Sequence, residues 1–221
     1  MKVSQALLQR RSTRAFLPKA VEHEKIEQIL EHAKWTPSGV NMQPWQVYVL
    51  SGKAKQELSQ RLLASFQSGA KSAMDYQYYP TEWKQPFKAR RTALGKQMFD
   101  LLQIGREDKE ARLEQWGRNY VGFDAPCLLL FSIDASLDKG SYLDYGMFLQ
   151  SIMLMAEELG LATCPQAALV EYPQVLRDFL NCSAEQHFIC GMALGYTDKQ
   201  AKVNQLKPPR AEISEFSTFL E

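Results

Sequence analysis

The sequence lacks several things that would settle its function quickly. No apolar run approaches the ~18 residues of a membrane-spanning helix, so no membrane association is expected. There are only three histidines, His23, His32 and His187, and none stands in a metal-binding spacing such as HExxH; no metal site is expected. The four cysteines, Cys127, Cys164, Cys182 and Cys190, contain no CxxC and mostly sit among apolar neighbours. That pattern reads as reduced core residues of a cytoplasmic protein, not as a disulfide or zinc framework. The opening MKVSQALLQRRS has neither the apolar stretch nor the cleavage site of a signal peptide. No GxGxxG follows a strand and no GxxxxGK[ST] occurs, which removes the signatures of a Rossmann dinucleotide site and a P-loop. A Ser-His-Asp or Cys-His site stays open, with no nucleophile signature such as GxSxG to place it. With 26 basic and 25 acidic residues the net charge is near +1, so no nucleic-acid partner is expected.

What is present is a chain of 221 residues, 45% of them apolar, enough for one domain spanning 1–221 with a substantial core. Ile26, Ile29, Leu30 and Ala33 recur at helical spacing between Val21 and Trp35, and Thr36-Pro37-Ser38-Gly39 stops that helix. Gln46 to Leu50 reads as a strand and Lys53 to Gln67 as a helix. The stretch from Met74 to Phe87, MDYQYYPTEWKQPF, has no clean period and belongs to an irregular excursion over about 71–118. Within it, Lys88 to Arg118 is read as two helices broken near Ile104-Gly105. Pro126 to Asp134 and Phe188 to Tyr196 are continuous apolar runs, which predict buried strands. Cys164-Pro165-Gln166 is read as a strand-to-loop passage and Tyr172 to Leu180 as a short helix. From Leu143 to Leu159, bulky apolar groups occupy nearly every face, which predicts a helix buried all round against a second copy of the chain. The tail, about 207–221, is read as an extended arm anchored by Phe216 and Phe219. Helices interleaved with a few strands make the fold class α+β.

Two chemical features stand out. The run Arg10-Arg11-Ser12-Thr13-Arg14 has no acidic residue nearer in sequence than Glu22. Guanidinium forks with a hydroxyl and backbone N–H groups suit a phosphate, but arginines that end a helix also simply favour its dipole. Cys164 beside Pro165 is either a reactive thiol or, more commonly for a free cysteine, a core residue.

The motifs taken together resemble one family. RRSTRAF, PSGVNMQPW, LDYGMFLQSIMLMAEELGLATCPQ, GMALGYTD and a trailing VN…R occur in the order found in FMN-dependent nitroreductases, over nearly the whole chain. The aromatic excursion resembles the insertion of a subgroup that reduces nitroaromatics. The resemblance implies a nitroreductase-like fold, a central mixed or antiparallel sheet flanked by helices. It also implies an intertwined homodimer with the long apolar helix at its interface and FMN between the subunits. It assigns the FMN phosphate to Arg10, Ser12 and Arg210, with Arg11 joining them. Arg14 would face the pyrimidine edge of the flavin, where a cation stabilises the charge that reduction places there. Pro37, Ser38, Gly39 and Asn41 would come from the other subunit. Pro165, Gln166, Ala167 and Ala168 would run along the flavin ring; some relatives have Glu-Gly where this chain has Ala167-Ala168, which keeps a backbone donor but removes the acidic side chain. Tyr76, Tyr78, Tyr79, Trp83, Tyr120 and Phe123 are candidates for an aromatic substrate wall, or equally for dimer-interface cover.

The expected activity is reduction of a nitroaromatic or quinone by NAD(P)H in a ping-pong cycle at the flavin, with no catalytic side chain assigned. Other reductions on the same scaffold (dehalogenation, ene reduction), a non-turning-over flavin-binding module and a cofactor-free structural dimer are the competing expectations.

Overall fold

The structure, a computed structural model, describes all 221 residues. Its centre is one antiparallel sheet in the order β1-β2-β4-β3, formed by β1 (Gln46–Ser51), β2 (Cys127–Asp134), β3 (Ala162–Gln166) and β4 (Gln186–Gly195). β2 and β4 hold the middle, and side chains on both faces are covered, which is why CLLLFSI and FICGMALG read as unbroken apolar runs. Successive residues of β2 point to opposite sides. Leu128 and Leu130 enter a core with Leu58, Leu62, Leu169 and Phe188, while Leu129, Phe131 and Ile133 enter another with Ile26, Ile29, Tyr145 and Ile152. Where the sequence resemblance allows a mixed sheet, every paired strand here is antiparallel; the one parallel element is an isolated bridge between Ser12 and Thr163.

Seven helices surround this sheet. α1 (Val3–Gln9) and α2 (His23–Ala33) precede β1; α2 packs on the sheet through Ile26, Ile29 and Ala33, all buried. α3 (Gly52–Gln67) covers the opposite face through Leu58 and Leu62. The excursion runs without helix or strand from 70 to 86 and then forms α4 (Phe87–Leu102) and α5 (Lys109–Gly117). The break between them falls at the sequence-predicted place: Gln103 adopts a left-handed φ of 59°, and Asp108 accepts the Ala111 N–H at 3.0 Å to start α5. α7 (Pro173–Leu180) follows β3.

α6 (Lys139–Glu158) departs from expectation at its start. It starts four residues before Leu143, because Asp138 caps it by accepting the Lys139 N–H at 2.7 Å. Within the chain, Ser141, Tyr145, Phe148, Ile152 and Ala156 form one buried stripe, whereas Leu143 is 71% exposed and Met147 is also open, a side that only a second copy of the chain would cover. The buried stripe organises the sheet. The Tyr145 hydroxyl accepts the Gln46 N–H at 3.2 Å and lies 3.0 Å from the Ser132 carbonyl, beside the bulge at Phe131/Ser132. Phe148 stacks on Trp45 with ring centroids 4.6 Å apart.

The tail also corrects its expectation. Phe216 and Phe219 are 70% and 82% exposed and anchor nothing in the chain. The arm turns at Ile213–Glu215, and its ion pair to the body joins Glu215 to Arg90 at 3.2 Å. No helix is long and apolar enough to cross a membrane.

Candidate functional site

After α1 the chain does not fold back into helix. It runs beside the edge of the sheet: Thr13 N–H donates to Thr163 O at 3.0 Å, Leu17 N–H to Tyr196 O at 2.8 Å, and Asp198 N–H to Ala15 O at 3.1 Å. Asn204 clamps the same segment. Its Oδ1 accepts the Arg14 N–H at 2.8 Å, and its Nδ2 donates to Ala15 O and to Asp198 O, both at 2.8 Å. These bonds hold Arg10 to Arg14 as a ledge against β3.

The guanidinium groups on this ledge have no salt-bridge partner. Arg14 Nη1 donates to Ser12 O at 3.3 Å, and Arg10 Nη1 lies 3.9 Å from Met153 Sδ on α6. Glu157 is close enough to feel Arg10 and Arg11: burial pushes its carboxyl upward while the two cations pull it down. Cys164 lies below the ledge, and burial pushes its thiol up to about 11 against the pull of Arg14, the Ser12 hydroxyl and Arg10. A thiol protonated at neutral pH and packed in the core is not a nucleophile.

β3 delivers the next group. Pro165 and Gln166 pair with Met192 and Gly191 of β4, and Ala167 and Ala168, both half-buried, lead into a turn at Ala168–Val170. That turn lies against β4 so closely that a Cβ on Gly191 would sit 2.5 Å from Leu169 Cδ1. Gln166 Nε2 donates to Asn119 O at 2.9 Å, but its Oε1 is buried without a partner. An orphaned buried acceptor is costly unless something donates to it.

The loop Pro37–Asn41 is held elsewhere. Gly39 N–H donates to Asp144 at 3.0 Å, the Thr36 and Ser151 hydroxyls are 2.8 Å apart, and Gln43 N–H donates to Ser38 Oγ at 2.9 Å. Val40 and Asn41 take φ of 46° and 59°, and Val40 is 93% exposed. A β-branched residue in the left-handed region is strained. Asp144 and Met153 stand nine positions apart on α6, about 14 Å at 1.5 Å per residue. One chain therefore does not bring this loop onto the arginine ledge. Arg210 has no salt bridge either, and its Nη1 donates to Pro208 O and Pro209 O on its own arm.

The aromatic candidates divide. Tyr76, Tyr78, Tyr79 and Trp83 form a chain of edge-to-face and tilted rings with centroids 6.1, 4.6 and 5.7 Å apart. Arg91 lies over Trp83 at 4.9 Å. The Tyr76 hydroxyl donates to Ile189 O at 2.6 Å, two residues from the Gly191 that pairs with Gln166. This places the rings just past the end of β3. Tyr120 and Phe123 are 1% and 2% exposed. Tyr120 stacks on Phe66 and donates to Glu171 at 2.5 Å. Both are core residues within the chain and present no open ring face, which leaves Tyr76, Tyr78, Tyr79 and Trp83 as the candidates for a wall.

Several positions in this arrangement have no sequence signal of their own: Asn119, Asp144 and the ion pair of Asp75 with Arg177. Asn204 lies in the trailing VN…R, but the string alone assigns it no role.

The chain matches the Nitroreductase family over residues 7–196. It is 38% identical to a 4-nitrobenzoate reductase of Pseudomonas putida over 96% of its length and 92% of that protein's. It is 37% identical to a chloronitrobenzene nitroreductase of Comamonas testosteroni, over 96% and 93%. An FMN- and NADPH-dependent nitroreductase from Sphigopyxis sp. strain HMH superposes over the whole of both chains with a TM-score of 0.96 at 34% identity. An FMN-dependent nitroreductase from Mycobacterium smegmatis, solved with NADPH, superposes equally completely with a TM-score of 0.93 at 28% identity. The antiparallel sheet, the unpaired arginine ledge and these matches agree, and the chain belongs to the nitroreductase family.

Proposed function

We propose that this protein is an FMN-dependent oxidoreductase that uses NAD(P)H to reduce nitroaromatic compounds or quinones, and that it works as a homodimer. The observation that carries the reading is the ledge: three guanidinium groups without a salt-bridge partner stand beside a strand end whose buried Gln166 Oε1 lacks a donor. A phosphate-bearing heterocycle with ring N–H groups meets both needs. FMN, when bound, supplies the two-electron chemistry, taking hydride from the nicotinamide and giving electrons to the acceptor.

The residues of this chain bind and orient. Arg10, Arg11, Ser12 and Arg210 hold the phosphate dianion through charge-assisted hydrogen bonds. Arg14 places a cation at the pyrimidine edge, where negative charge develops. Pro165 to Ala168 lie along the ring, with backbone N–H groups from Gln166 onward as donors. Tyr76, Tyr78, Tyr79 and Trp83 offer flat apolar faces to a flat acceptor. Pro37, Ser38, Gly39 and Asn41 complete the site from the partner subunit. Two features support that assembly: the open apolar stripe of α6 at Leu143 and Met147, and the protruding strained loop at Val40. Large exposed apolar surfaces of this kind mark interfaces. We also infer a cytoplasmic location, since all four cysteines are free thiols, as a reducing compartment keeps them.

Fluorescence titration of apoprotein with FMN tests the ledge. Arg10→Ala should weaken binding by roughly ten- to a hundredfold, the worth of one hydrogen bond to a charged group. Unchanged affinity would remove the phosphate assignment.

A further inference from the structure

The segment 70–86 has no helix or strand of its own, yet its rings stand at a defined place over the sheet. A buried ion pair accounts for this. Asp75 Oδ1 lies 2.6 Å from Arg177 Nη2 on α7, with side chains only 9% and 12% exposed. The other Asp75 oxygen accepts the Phe188 N–H at 2.9 Å, and Arg177 Nη2 also donates to Gln186 O at 3.0 Å. In the very next residue, the Tyr76 hydroxyl donates to Ile189 O at 2.6 Å. Ile189 is the residue skipped by the register with β2, where Ser132 faces Phe188 and Phe131 faces Cys190. β3 has already ended opposite Gly191. Asp75 and Tyr76 therefore use side chains to grip a stretch of β4 that β3 does not reach, and Tyr76 then meets Tyr142 of α6 edge-on at 5.1 Å.

Such a pair is a poor device for stability alone, because removing two charges from water offsets most of their attraction. It is a good device for geometry, because one nitrogen, Arg177 Nη2, is shared between Asp75 Oδ1 and Gln186 O while the Phe188 N–H holds the other Asp75 oxygen, so that both ends of the pair are tied to β4. We propose that Asp75 and Arg177 are positioning residues for the electron acceptor: they fix Tyr76, and through it Tyr78, Tyr79 and Trp83, beside the end of β3. This rests on the reading of those rings as the acceptor wall. It predicts that breaking the pair affects flat organic acceptors and spares acceptors that need no wall.

Steady-state kinetics of the FMN-loaded enzyme with 4-nitrobenzoate and with ferricyanide test this, with thermal melts alongside. Arg177→Met should raise the KM for 4-nitrobenzoate about tenfold, the scale of a sub-ångström to ångström misplacement. Turnover of ferricyanide and FMN affinity should stay within about twofold of the parent. Arg177→Lys, which keeps the charge, should recover most of the loss. If Arg177→Met does not fold, Asp75→Asn carries the same comparison, since it keeps an acceptor for Phe188 and loses only the charge. Parallel loss with both acceptors, or no change with either in folded protein, would reduce the pair to a structural tie. The wall reading fails separately, if Tyr79→Ala leaves the 4-nitrobenzoate KM unmoved.

Discussion

Residues 11–17 and residues 70–86 both run without helix or regular strand, and both border the candidate site, but different chemistry holds them. The first is tied by main-chain bonds, Thr13 to Thr163, Leu17 to Tyr196 and Asp198 to Ala15, with Asn204 as a side-chain clamp. The second is tied mostly by side chains: Asp75 on Arg177 and Phe188, Tyr76 on Ile189, and ring on ring. Main-chain bonds survive most substitutions, whereas a side-chain grip changes whenever one residue does. On the proposed function, the first arrangement suits a ligand that never varies, the FMN phosphate, and the second an acceptor that does.

That contrast is open to direct attack. The largest effect belongs to Asn204→Ala, which leaves the Arg14 N–H without its acceptor and removes a donor from two carbonyls. Each unsatisfied group costs about 1–3 kcal/mol, so a clear drop in melting temperature and at least a tenfold loss of FMN affinity are expected. A destabilised protein with normal FMN affinity would show that the clamp serves the fold and not the ledge. Trp83→Ala should do the converse. Losing one aromatic contact is worth about 0.5–1.5 kcal/mol, seen as a two- to tenfold rise in acceptor KM, with FMN affinity unaltered. A loss of FMN instead would erase the division between the regions.

The smallest effect lies at the foot of the ledge. Tyr196, whose carbonyl holds Leu17, donates its hydroxyl to Glu22 at 2.5 Å. That bond first, then a backbone N–H and Lys25 and Lys19, lower the Glu22 carboxyl from 4.5 to about 2. A depressed carboxyl stabilises the fold above its unfolded value and loses that contribution as pH falls from 4.5 toward 2. Glu22 is exposed, with 42% of its side chain open to water, so Glu22→Gln should only slightly flatten the melting-temperature profile in that window. A pH profile identical to the parent would mean that the bond contributes nothing in solution.

The sequence makes the sheet and most helices legible because their signals are local. β2 and β4 show as apolar runs, α2 as a period of Ile26, Ile29 and Ala33, and the α4/α5 break as Ile104-Gly105. What it hides depends on partners distant in the chain. A helix apolar on every face, such as α6, does not say which stripe its own chain will cover. Tyr120 and Phe123 look like wall residues because a core aromatic and a pocket aromatic are the same residue type; only the fold separates them from Tyr76 and Trp83. The arginine run is ambiguous alone, since no pattern in QRRSTRAF reveals that Glu157 comes near it without forming a salt bridge. Asn204 bridges some 190 positions back to Arg14, a distance over which no local spacing speaks.

An absorbance spectrum of the purified protein, taken before and after NADPH and again after 4-nitrobenzoate, tests the central claim most directly. The account predicts a flavin spectrum that bleaches with the nicotinamide and returns with the nitroarene. A colourless protein that takes up no FMN on reconstitution, or a bound flavin that NADPH and NADH both fail to bleach, would contradict it.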